Sequence, residues 1–283
     1  MDKKPLIIGI GELLWDVLPT GKKAGGAPVN FAYHASRRGA DSYAISAVGN
    51  DPLGTEIISE IDRIGIGYVI ERVDHPTGTV IVELRDGIPD YTIIEGVAWD
   101  HIPLTDEMIS LARRADAVCF GTLAQRHEPS HATILTLLSH VPEESLRIFD
   151  INLRQHYYTK EIIVSSLRNC NVFKINDEEL DLLSGLFGFE GETPEESCRR
   201  IVRTYNLRYM ILTAGADYSA VYSPSEVSLI DTPRVEVVDT VGAGDSFTGA
   251  FIASILEGAT LREAHRTAVE HAAYVCTRAG AWV

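Results

Sequence analysis

The chain has 283 residues, 45% of them hydrophobic, and a formal net charge of −15 at pH 7. This negative charge argues against nucleic acid or an anionic membrane surface as a partner, because both attract clustered lysine and arginine. No apolar run reaches the roughly 18 residues of a membrane span, and no proline- or serine-rich linker divides the sequence, so we expect one domain over residues 1–283.

The first part of the chain alternates strand-like and helix-like segments. Apolar runs predict strands at residues 6–11 and 42–48. Apolar residues at helical spacing predict helices that end near Arg38 and Ile64. Alternation of this kind is typical of a mostly parallel sheet that is covered by helices on both faces.

The pattern changes after the second helix, where short strands at residues 79–84 and 91–94 flank the hairpin signal Asp-Gly at 86–87. A hairpin that interrupts β-α units is best explained as a small β lid over a binding site. The insertions that supply the lid strands are expected at two places, about residues 12–20 and 70–98. A hairpin at the edge of the main sheet is the alternative interpretation.

Beyond residue 100 the alternation returns, and no internal repeat is present. The predicted strands lie at residues 117–120, 147–151, 171–175, 209–213 and 235–238, with an antiparallel pair at 220–222 and 227–230. The predicted helices lie at residues 106–114, 131–138, 160–168, 178–183, 194–205, 246–256 and 261–275. An α/β fold therefore extends over the whole chain.

A glycine-rich turn at residues 239–247, Asp-Thr-Val-Gly-Ala-Gly-Asp-Ser-Phe, joins a predicted strand to a helix. Glycines let the backbone approach a ligand, and the first amides of a helix favour an anion, so Gly242, Ala243 and Gly244 are placed to hold phosphoryl oxygens. Asp245 then suits a general base that steers a substrate hydroxyl toward the phosphoryl group. For an isolated turn of this kind, a helix-start carboxylate with no catalytic role is the alternative.

Two commoner nucleotide-binding motifs are not present. The chain lacks the Walker pattern Gly-x-x-x-x-Gly-Lys-Ser/Thr. The pairs Gly9-Ile10-Gly11 and Gly242-Ala243-Gly244 are followed by Leu14 and Phe247 where the dinucleotide fingerprint has a third glycine. The sequence therefore argues against a Walker NTPase and a Rossmann dehydrogenase.

The turn at residues 239–245 resembles the C-terminal signature, Asp-Thr-x-Gly-Ala-Gly-Asp, of the ribokinase-like (PfkB) carbohydrate kinases. Residues 25–30, Gly-Gly-Ala-Pro-Val-Asn, resemble the N-terminal signature of the same family in its fructokinase form. The resemblance implies the ribokinase-like fold, a three-layer α/β/α sandwich with a mostly parallel central sheet and a small β lid. It also implies Asp245 as the catalytic base and the amides of residues 242–244 as the anion hole.

The resemblance further implies which residues contact the sugar. Besides Asp245, the expected substrate contacts are Asp16, Gly25, Gly26, Asn30 and Arg154. Arg154 belongs to an Asp-x-Asn-x-Arg stretch that resembles fructokinases and 2-keto-3-deoxygluconate kinases, where the arginine can reach substrate. Without the resemblance, polar residues that follow strands, such as Asp16, could equally cap the next helix.

The expected nucleotide contacts are Lys174, Thr213, Gly215, Gly242 and Gly244. Tyr218 replaces a second glycine that the family usually has in this loop, which leaves the shape of the loop open. Asn176 and Glu179 match the Asn-x-x-Glu motif associated with magnesium, which would bind mostly through retained waters and nucleotide phosphates. Asp239 matches an aspartate near which many members bind a monovalent cation, so K⁺ is a candidate cofactor beside ATP and Mg²⁺.

The resemblance therefore implies an ATP-dependent sugar kinase that phosphorylates a hydroxyl of a neutral sugar, with fructose as the expected acceptor. A 2-keto-3-deoxygluconate kinase or a ribokinase-type kinase is the alternative within the same chemistry. A sugar- or nucleotide-binding regulator without catalysis is the alternative from another class. The expected partners are the sugar and ATP, and a homodimer is left open. Four widely spaced cysteines fit a reducing cytoplasm.

Overall fold

The computed structural model describes residues 4–85 and 88–283. Its strands are, in chain order, β1 (Leu6–Ile10), β2 (Leu14–Leu18), β3 (Gly21–Gly25), β4 (Asp41–Gly49), β5 (Gly67–Val73), β6 (Gly78–Arg85), β7 (Ile88–Ile93), β8 (Ala117–Phe120), β9 (Leu146–Asp150), β10 (Val172–Asn176), β11 (Tyr209–Ala214), β12 (Tyr218–Tyr222) and β13 (Val227–Asp231). Its helices are α1 (Ala27–Arg37), α2 (Pro52–Ile64), α3 (Asp106–Ala112), α4 (Glu128–His140), α5 (Lys160–Asn169), α6 (Asp177–Phe187), α7 (Pro194–Tyr205), α8 (Ala243–Leu256) and α9 (Leu261–Cys276). Most predicted elements are present, with bounds shifted by a few residues.

The central sheet has nine strands in the order β13-β12-β11-β10-β9-β8-β1-β4-β5. Every neighbouring pair from β5 to β11 is parallel. The strands β12 and β13 continue the sheet as antiparallel neighbours. The mostly parallel sheet and the antiparallel pair expected from the sequence are therefore confirmed.

Helices cover both faces of this sheet. Successive side chains of a strand point to opposite faces, so Ile8 and Ile10 of β1 pack with α3 to α7, whereas Ile7 packs with α1, α8 and α9. Helix α2 packs beside α1 through Ile57 and Ile61. The three-layer α/β/α arrangement is confirmed. Among the helices of the described residues, none is both long and apolar enough to cross a bilayer.

A second, four-stranded sheet has the order β3-β2-β6-β7. The predicted strand pair at 79–84 and 91–94 belongs to it, because β6 and β7 pair with each other and β6 pairs with β2. The edge-hairpin interpretation is therefore wrong, and the small β sheet of the expected fold is present. The Asp-Gly signal at 86–87 lies outside the described residues.

Two boundaries of the expected lid insertions differ from the structure. Strand β3, Gly-Lys-Lys-Ala-Gly, has no apolar alternation that would predict it, and it forms because its backbone pairs with β2. Residues 70–73 were expected in the lid but belong to β5, whose ladder with β4 extends the main sheet.

The predicted strand at residues 235–238 is wrong. Val235, Val237 and Val238 are 37%, 59% and 61% exposed, and the segment has no ladder partner because the described sheet ends at β13. The N–H of Val238 instead donates to the carbonyl of Cys276. β-Branched residues favour strands only where a neighbouring strand provides a ladder, so this run remains an irregular connection to α8.

The carboxyl ends of the parallel strands lie along one edge of the central sheet, and several polar side chains lie at this strand-end edge. Glu12 follows β1, Asp150 ends β9 and Asn176 ends β10. The N-terminus of α8 contributes Asp245 to the same region, since the charges of Asp245 and Asp150 influence each other. This edge is therefore the place for a ligand.

Candidate functional site

The first turn of α8 forms one wall of the candidate site. Gly242 caps the helix with a φ of 77°, a left-handed conformation that favours glycine. A Cβ at Gly242 would also lie 2.8 Å from Cβ of Ala281. The N–H of Ala243 donates to the carbonyl of Thr240 at 3.2 Å. A phosphoryl oxygen must displace that bond to reach Ala243, so this amide is less accessible than the sequence predicts.

Asp245 lies in this first turn and accepts a hydrogen bond from Asn30, whose Nδ2 is 2.8 Å from Oδ2 of Asp245. Burial raises the pKa of the Asp245 carboxyl, although the bond from Asn30 and the positive charges of Lys174 and Arg154 partly lower it. The side chain keeps part of its surface exposed. A raised pKa makes Asp245 a better proton acceptor than an ordinary surface carboxylate.

Lys174 and Asp150 form a buried ion pair beneath the turn. They face each other in the ladder between β10 and β9, and Nζ of Lys174 lies 3.2 Å from Oδ1 of Asp150. A Cβ at Gly244 would lie 3.1 Å from the same Nζ. The lysine thus brings a positive charge directly against the start of α8, where a phosphoryl group would be bound.

The charges around this pair keep Lys174 protonated. Burial lowers the pKa of Lys174, but the carboxylates of Asp150, Glu179 and Asp245 outweigh burial and raise it. The pKa of Asp150 is also raised, by burial first and by Asp245 in addition, although Lys174 opposes this. The raised pKa of Lys174 therefore reflects the surrounding carboxylates, whereas the raised pKa of Asp150 reflects mainly its burial.

Glu12 is a buried carboxyl group that the sequence analysis did not select. Its Oε1 accepts the N–H of Ala27 at 3.3 Å, and its Oε2 has no hydrogen-bond partner among the described residues. Burial raises its pKa to about 7, and the charge of Asp245 adds to this increase. Gly26 fits here because a Cβ would lie 2.1 Å from the Glu12 carbonyl oxygen.

The expected sugar contact Asp16 lies on β2 of the second sheet, opposite Lys23 of β3. Burial raises the pKa of Asp16, and the positive charges of Lys23 and Arg154 partly lower it. A Cβ at Gly25 would lie 3.5 Å from Oδ2 of Asp16. Asp16 and Gly25 therefore lie together, within the influence of Arg154 at the edge of the central sheet.

Arg154 lies in the loop after β9, where Asn152 and Gln155 have φ values of 41° and 48°. Left-handed conformations of non-glycine residues are strained, and they cluster at functional sites. The charge of Arg154 partly offsets the raised pKa of four carboxyl groups: Glu12, Asp16, Asp150 and Asp245. The arginine is thus placed among the predicted substrate contacts.

The loop of Arg154 is attached to the second sheet. Nε2 of Gln155 donates to the carbonyl of Tyr91 at 2.5 Å. The hydroxyl of Tyr157 lies 3.2 Å from the carbonyl of Ile93. These contacts connect β7 with the loop that holds Arg154.

Asn176 and Glu179 form a capping box at the start of α6. Oδ1 of Asn176 accepts the N–H of Glu179, and Oε2 of Glu179 accepts the N–H of Asn176. Oε1 of Glu179 accepts the N–H of Leu153 at 2.8 Å. Each carboxylate oxygen keeps one further lone pair. These residues therefore fit a hydrated Mg²⁺, which they would hold through water.

The other expected nucleotide contacts lie one strand away. Thr213 of β11 is in register with Asn176 of β10. Gly215, with a φ of 50°, begins the turn to β12, and its carbonyl accepts a bond from Thr232. Tyr218 starts β12 and packs against the main core. Thr213 and Gly215 thus share the strand-end edge with Asn176.

Asp239, the expected monovalent-cation residue, is already bonded to the chain. Its Oδ2 accepts the N–H of Gly280 at 2.9 Å, and its Oδ1 accepts the N–H of Val241 at 3.1 Å. Burial would raise its pKa, but these bonds and Lys23, 3.4 Å away, lower it. No cluster of three histidine, cysteine, aspartate or glutamate side chains suited to a metal occurs in residues 4–85 and 88–283.

Three residues of the site were missed from the sequence. Glu12 follows the first strand, and that position was a usable signal. Lys23 lies on the unpredicted strand β3. Trp282 donates its indole N–H to Oδ1 of Asn30 at 2.8 Å, and no local pattern predicts this contact because 252 positions separate the two residues.

The arrangement suits phosphoryl transfer to a hydroxyl. It combines a carboxylate base, Asp245, with the backbone of a helix start and the buried ammonium group of Lys174, and such groups stabilise the charge of a transferred phosphoryl group. Asp16 and Asn30 add short hydrogen-bonding groups.

Comparisons with known proteins agree with this chemistry. The chain matches the family model described as pfkB family carbohydrate kinase over residues 11–282. It is 28% identical to an uncharacterized sugar kinase of Pyrococcus horikoshii, over 98% of this chain and 92% of that protein. It is 27% identical to an ATP-dependent 6-phosphofructokinase of Thermoanaerobacterium thermosaccharolyticum, over 100% of this chain and 91% of that protein.

A probable fructokinase of Arabidopsis thaliana is 28% identical, over 99% of this chain and 93% of that protein. The crystal structure of the Pyrococcus horikoshii sugar kinase in complex with ATP superposes on this chain with a TM-score of 0.85. That superposition covers 98% of this chain and 94% of the other. The similarity therefore extends over the whole fold.

Proposed function

This chain belongs to the pfkB family of carbohydrate kinases, and on that premise we propose that it transfers the γ-phosphoryl group of ATP to a hydroxyl of fructose. The observation that supports this most directly is the Asn30–Asp245 hydrogen bond at the start of α8. It places a proton acceptor beside a helix start that attracts phosphate. The sugar kinase of Pyrococcus horikoshii, at 28% identity, was crystallised with ATP, which supports ATP as the donor.

In the proposed reaction, Asp245 orients the sugar hydroxyl and accepts its proton as the hydroxyl oxygen bonds to the γ-phosphorus. The bond between that phosphorus and the bridging oxygen of ADP breaks at the same time. The N–H groups of Gly242 and Gly244 and the ammonium of Lys174 stabilise the charge on the transferred group. Asn176 and Glu179 would hold hydrated Mg²⁺, which when bound neutralises phosphate charge.

A neutral sugar is proposed because Asp16 and Asn30 are short groups suited to hydroxyls. The main alternative is an acidic sugar such as 2-keto-3-deoxygluconate, since Arg154 could pair with a carboxylate. A phosphorylated sugar is a second alternative. Lys23, whose side chain is 52% exposed beside Asp16, could join Arg154 in holding a second phosphate, and one relative is a 6-phosphofructokinase.

A substrate panel tests the proposal. Sugar-dependent ADP release is measured for fructose, ribose, 2-keto-3-deoxygluconate and fructose 6-phosphate, with wild type, Arg154→Ala and Lys23→Ala. We expect the highest kcat/KM for fructose, and Arg154→Ala should lower turnover without changing the order of the neutral sugars. A wild-type preference for the acid, lost in Arg154→Ala, would contradict fructose but keep the kinase chemistry.

Two other results of the substrate panel would identify the remaining alternatives, a sugar-phosphate kinase and a non-catalytic regulator. A preference for fructose 6-phosphate that Lys23→Ala removes would identify a sugar-phosphate kinase. The absence of ADP release with every sugar, together with sugar or ATP binding, would identify the non-catalytic regulator. The same assay with and without K⁺ tests the cation expected near Asp239.

The proposal also includes a cytoplasmic location. Cys119, Cys170 and Cys198 are buried and Cys276 is partly exposed, and all four are free thiols. Free thiols persist where the environment is reducing. Fractionation of cells that express the protein would check this location, and size-exclusion chromatography with light scattering would show whether it forms a homodimer.

A further inference from the structure

The candidate base is linked to the C-terminal segment through one side chain. Nε1 of Trp282 donates to Oδ1 of Asn30 at 2.8 Å, and Nδ2 of the same Asn30 donates to Oδ2 of Asp245 at 2.8 Å. Asn30 is only 5% exposed. The indole, the amide and the carboxylate therefore form a chain of hydrogen bonds whose central amide is buried.

The chemistry of the indole fixes the direction of this chain. An indole N–H can only donate, whereas an asparagine amide has one accepting and one donating end. With Trp282 in place, the oxygen of the Asn30 amide must face the indole, and its NH₂ group must face Asp245. Rotating the amide by half a turn would place two donors together at Trp282 and two acceptors together at Asp245.

Trp282 is held in place by contacts that do not involve Asn30. Both neighbours of Trp282 in the sequence contact α1. The hydroxyl of Tyr33 donates to the carbonyl of Val283 at 2.8 Å, and Nε2 of His34 lies 2.8 Å from the carbonyl oxygen of Ala281. Both contacts attach residues 281–283 to α1, the helix that also contains Asn30. The indole is thus fixed relative to Asn30 by the backbone on either side of it.

We propose that Trp282 is a positioning residue for catalysis: it orients the amide of Asn30 so that this amide donates to Asp245 and holds the carboxylate toward the substrate. This inference rests on the proposed function, in which Asp245 is the base. In this role Trp282 acts only through its hydrogen bond to Asn30.

The first test compares Trp282→Phe with Tyr33→Phe. The first variant removes the indole N–H and keeps an aromatic ring, and the second removes another hydrogen bond of the same segment. Trp282→Phe should lower kcat about tenfold, the factor expected for one hydrogen bond of ordinary strength, and leave the KM for ATP unchanged. Tyr33→Phe should retain most of kcat, because the contact of His34 with the Ala281 carbonyl still attaches the segment to α1.

The pH profile separates positioning from a structural effect. Without the donor from Asn30, the pKa of Asp245 rises, so the acid limb of kcat/KM in Trp282→Phe should move to higher pH. The other charged groups that face Asp245, namely Glu12, Asp150, Lys174 and Arg154, are unchanged in the variant. Equal loss of activity at every pH, or the same loss in Tyr33→Phe, would show a merely structural role and overturn the proposal.

A second measurement needs neither turnover nor a folded Trp282 variant. The three tryptophans give three indole N–H signals in a ¹⁵N–¹H spectrum of the wild type. The signal of Trp282 should shift as Asp245 titrates, and this shift should disappear in Asp245→Asn. A signal independent of pH in the wild type would overturn the inference. If wild type releases no ADP with any sugar but the signal titrates, the proposed function fails while the hydrogen-bond chain stands.

Discussion

The ammonium group of Lys174 lies 3.2 Å from a carboxylate oxygen of Asp150, and both side chains are more than nine-tenths buried. Removing one partner of a buried ion pair leaves the other charge uncompensated. We therefore predict that Lys174→Met lowers the free energy of unfolding by about 3–5 kcal/mol and weakens ATP binding. Urea unfolding and calorimetric titration with ATP measure the two effects.

Two variants control this experiment. Lys4 is exposed, so Lys4→Met should leave the free energy of unfolding unchanged. The double variant Asp150→Asn/Lys174→Met removes both charges and should recover part of the lost stability. A Lys174→Met protein as stable as wild type would show that the pair is not an ionic contact in solution.

Asp245→Asn should remove most of the catalytic activity and leave ATP binding nearly unchanged. Asparagine has the shape of aspartate and can still accept the hydrogen bond from Asn30, but it cannot take a proton. We expect kcat to fall by about two to four decades, the range for a general base, while the affinity for ATP stays nearly the same. Steady-state kinetics and ATP titration check this, and near-normal turnover would exclude Asp245 as the base.

Glu12 should make the protein less stable as the pH rises. Its folded pKa of about 7 lies above the ordinary value of 4.5, so between these values the folded protein keeps a proton that the unfolded chain has lost. The free energy of unfolding therefore decreases across this window, by roughly 3 kcal/mol in total. Glu12→Gln should remove the decrease and be the more stable protein at pH 8, with little difference below pH 4.5.

Urea unfolding at several pH values measures this effect. Glu178 is exposed at the start of α6, so Glu178→Gln is a surface control and should show the wild-type pH dependence. If Glu12→Gln and wild type lose stability in parallel between pH 4.5 and 7, the Glu12 carboxyl is not the group responsible.

Sugar binding should slow amide hydrogen exchange in β6 and β7. A phosphoryl donor left open to water would be hydrolysed, so closure of the second sheet over bound sugar is expected. Exchange in residues 78–85 and 88–93 with and without saturating fructose measures it, and α9 provides an internal reference. Unchanged exchange would mean that this sheet is structural only.

Tyr157→Phe tests whether that sheet and the Arg154 loop act together. The hydroxyl lies 3.2 Å from the carbonyl of Ile93 and 2.9 Å from Oε1 of Glu95, and phenylalanine removes both contacts. The sugar KM should rise by up to about tenfold, the effect of one hydrogen bond, and the sugar-dependent slowing of exchange should weaken. An unchanged KM for the sugar would show that the second sheet and the Arg154 loop act independently in sugar binding.

Much of the fold could be predicted because its signals are local. The apolar runs of the central strands and the helical spacing in α2 and α7 follow directly from burial on one or both faces. The run Val235, Val237 and Val238 misled for the same reason, since a local pattern cannot show that no neighbouring strand exists. Strand β3 gave the opposite error, because its pairing with β2 does not depend on its side chains.

The candidate site was predictable only in part. Motif resemblance identified Asp245, Asn30 and Lys174, and the structure brings these three together. It could not identify Trp282 or the raised pKa of Glu12, because both depend on which distant residues surround them. Burial and long-range contacts are properties of the folded chain, not of a window of sequence.

The hydrogen bonds that hold Asp245 join residues 215 and 252 positions apart, and this separation has a consequence for how the protein is made. All thirteen described strands precede α8 in the sequence, so a growing chain can assemble its sheets while Asn30 still lacks both partners. Contacts between such distant residues form late, because the intervening chain must first be ordered. During synthesis, Asp245 and Trp282 thus reach Asn30 only after the strands of both sheets have been made.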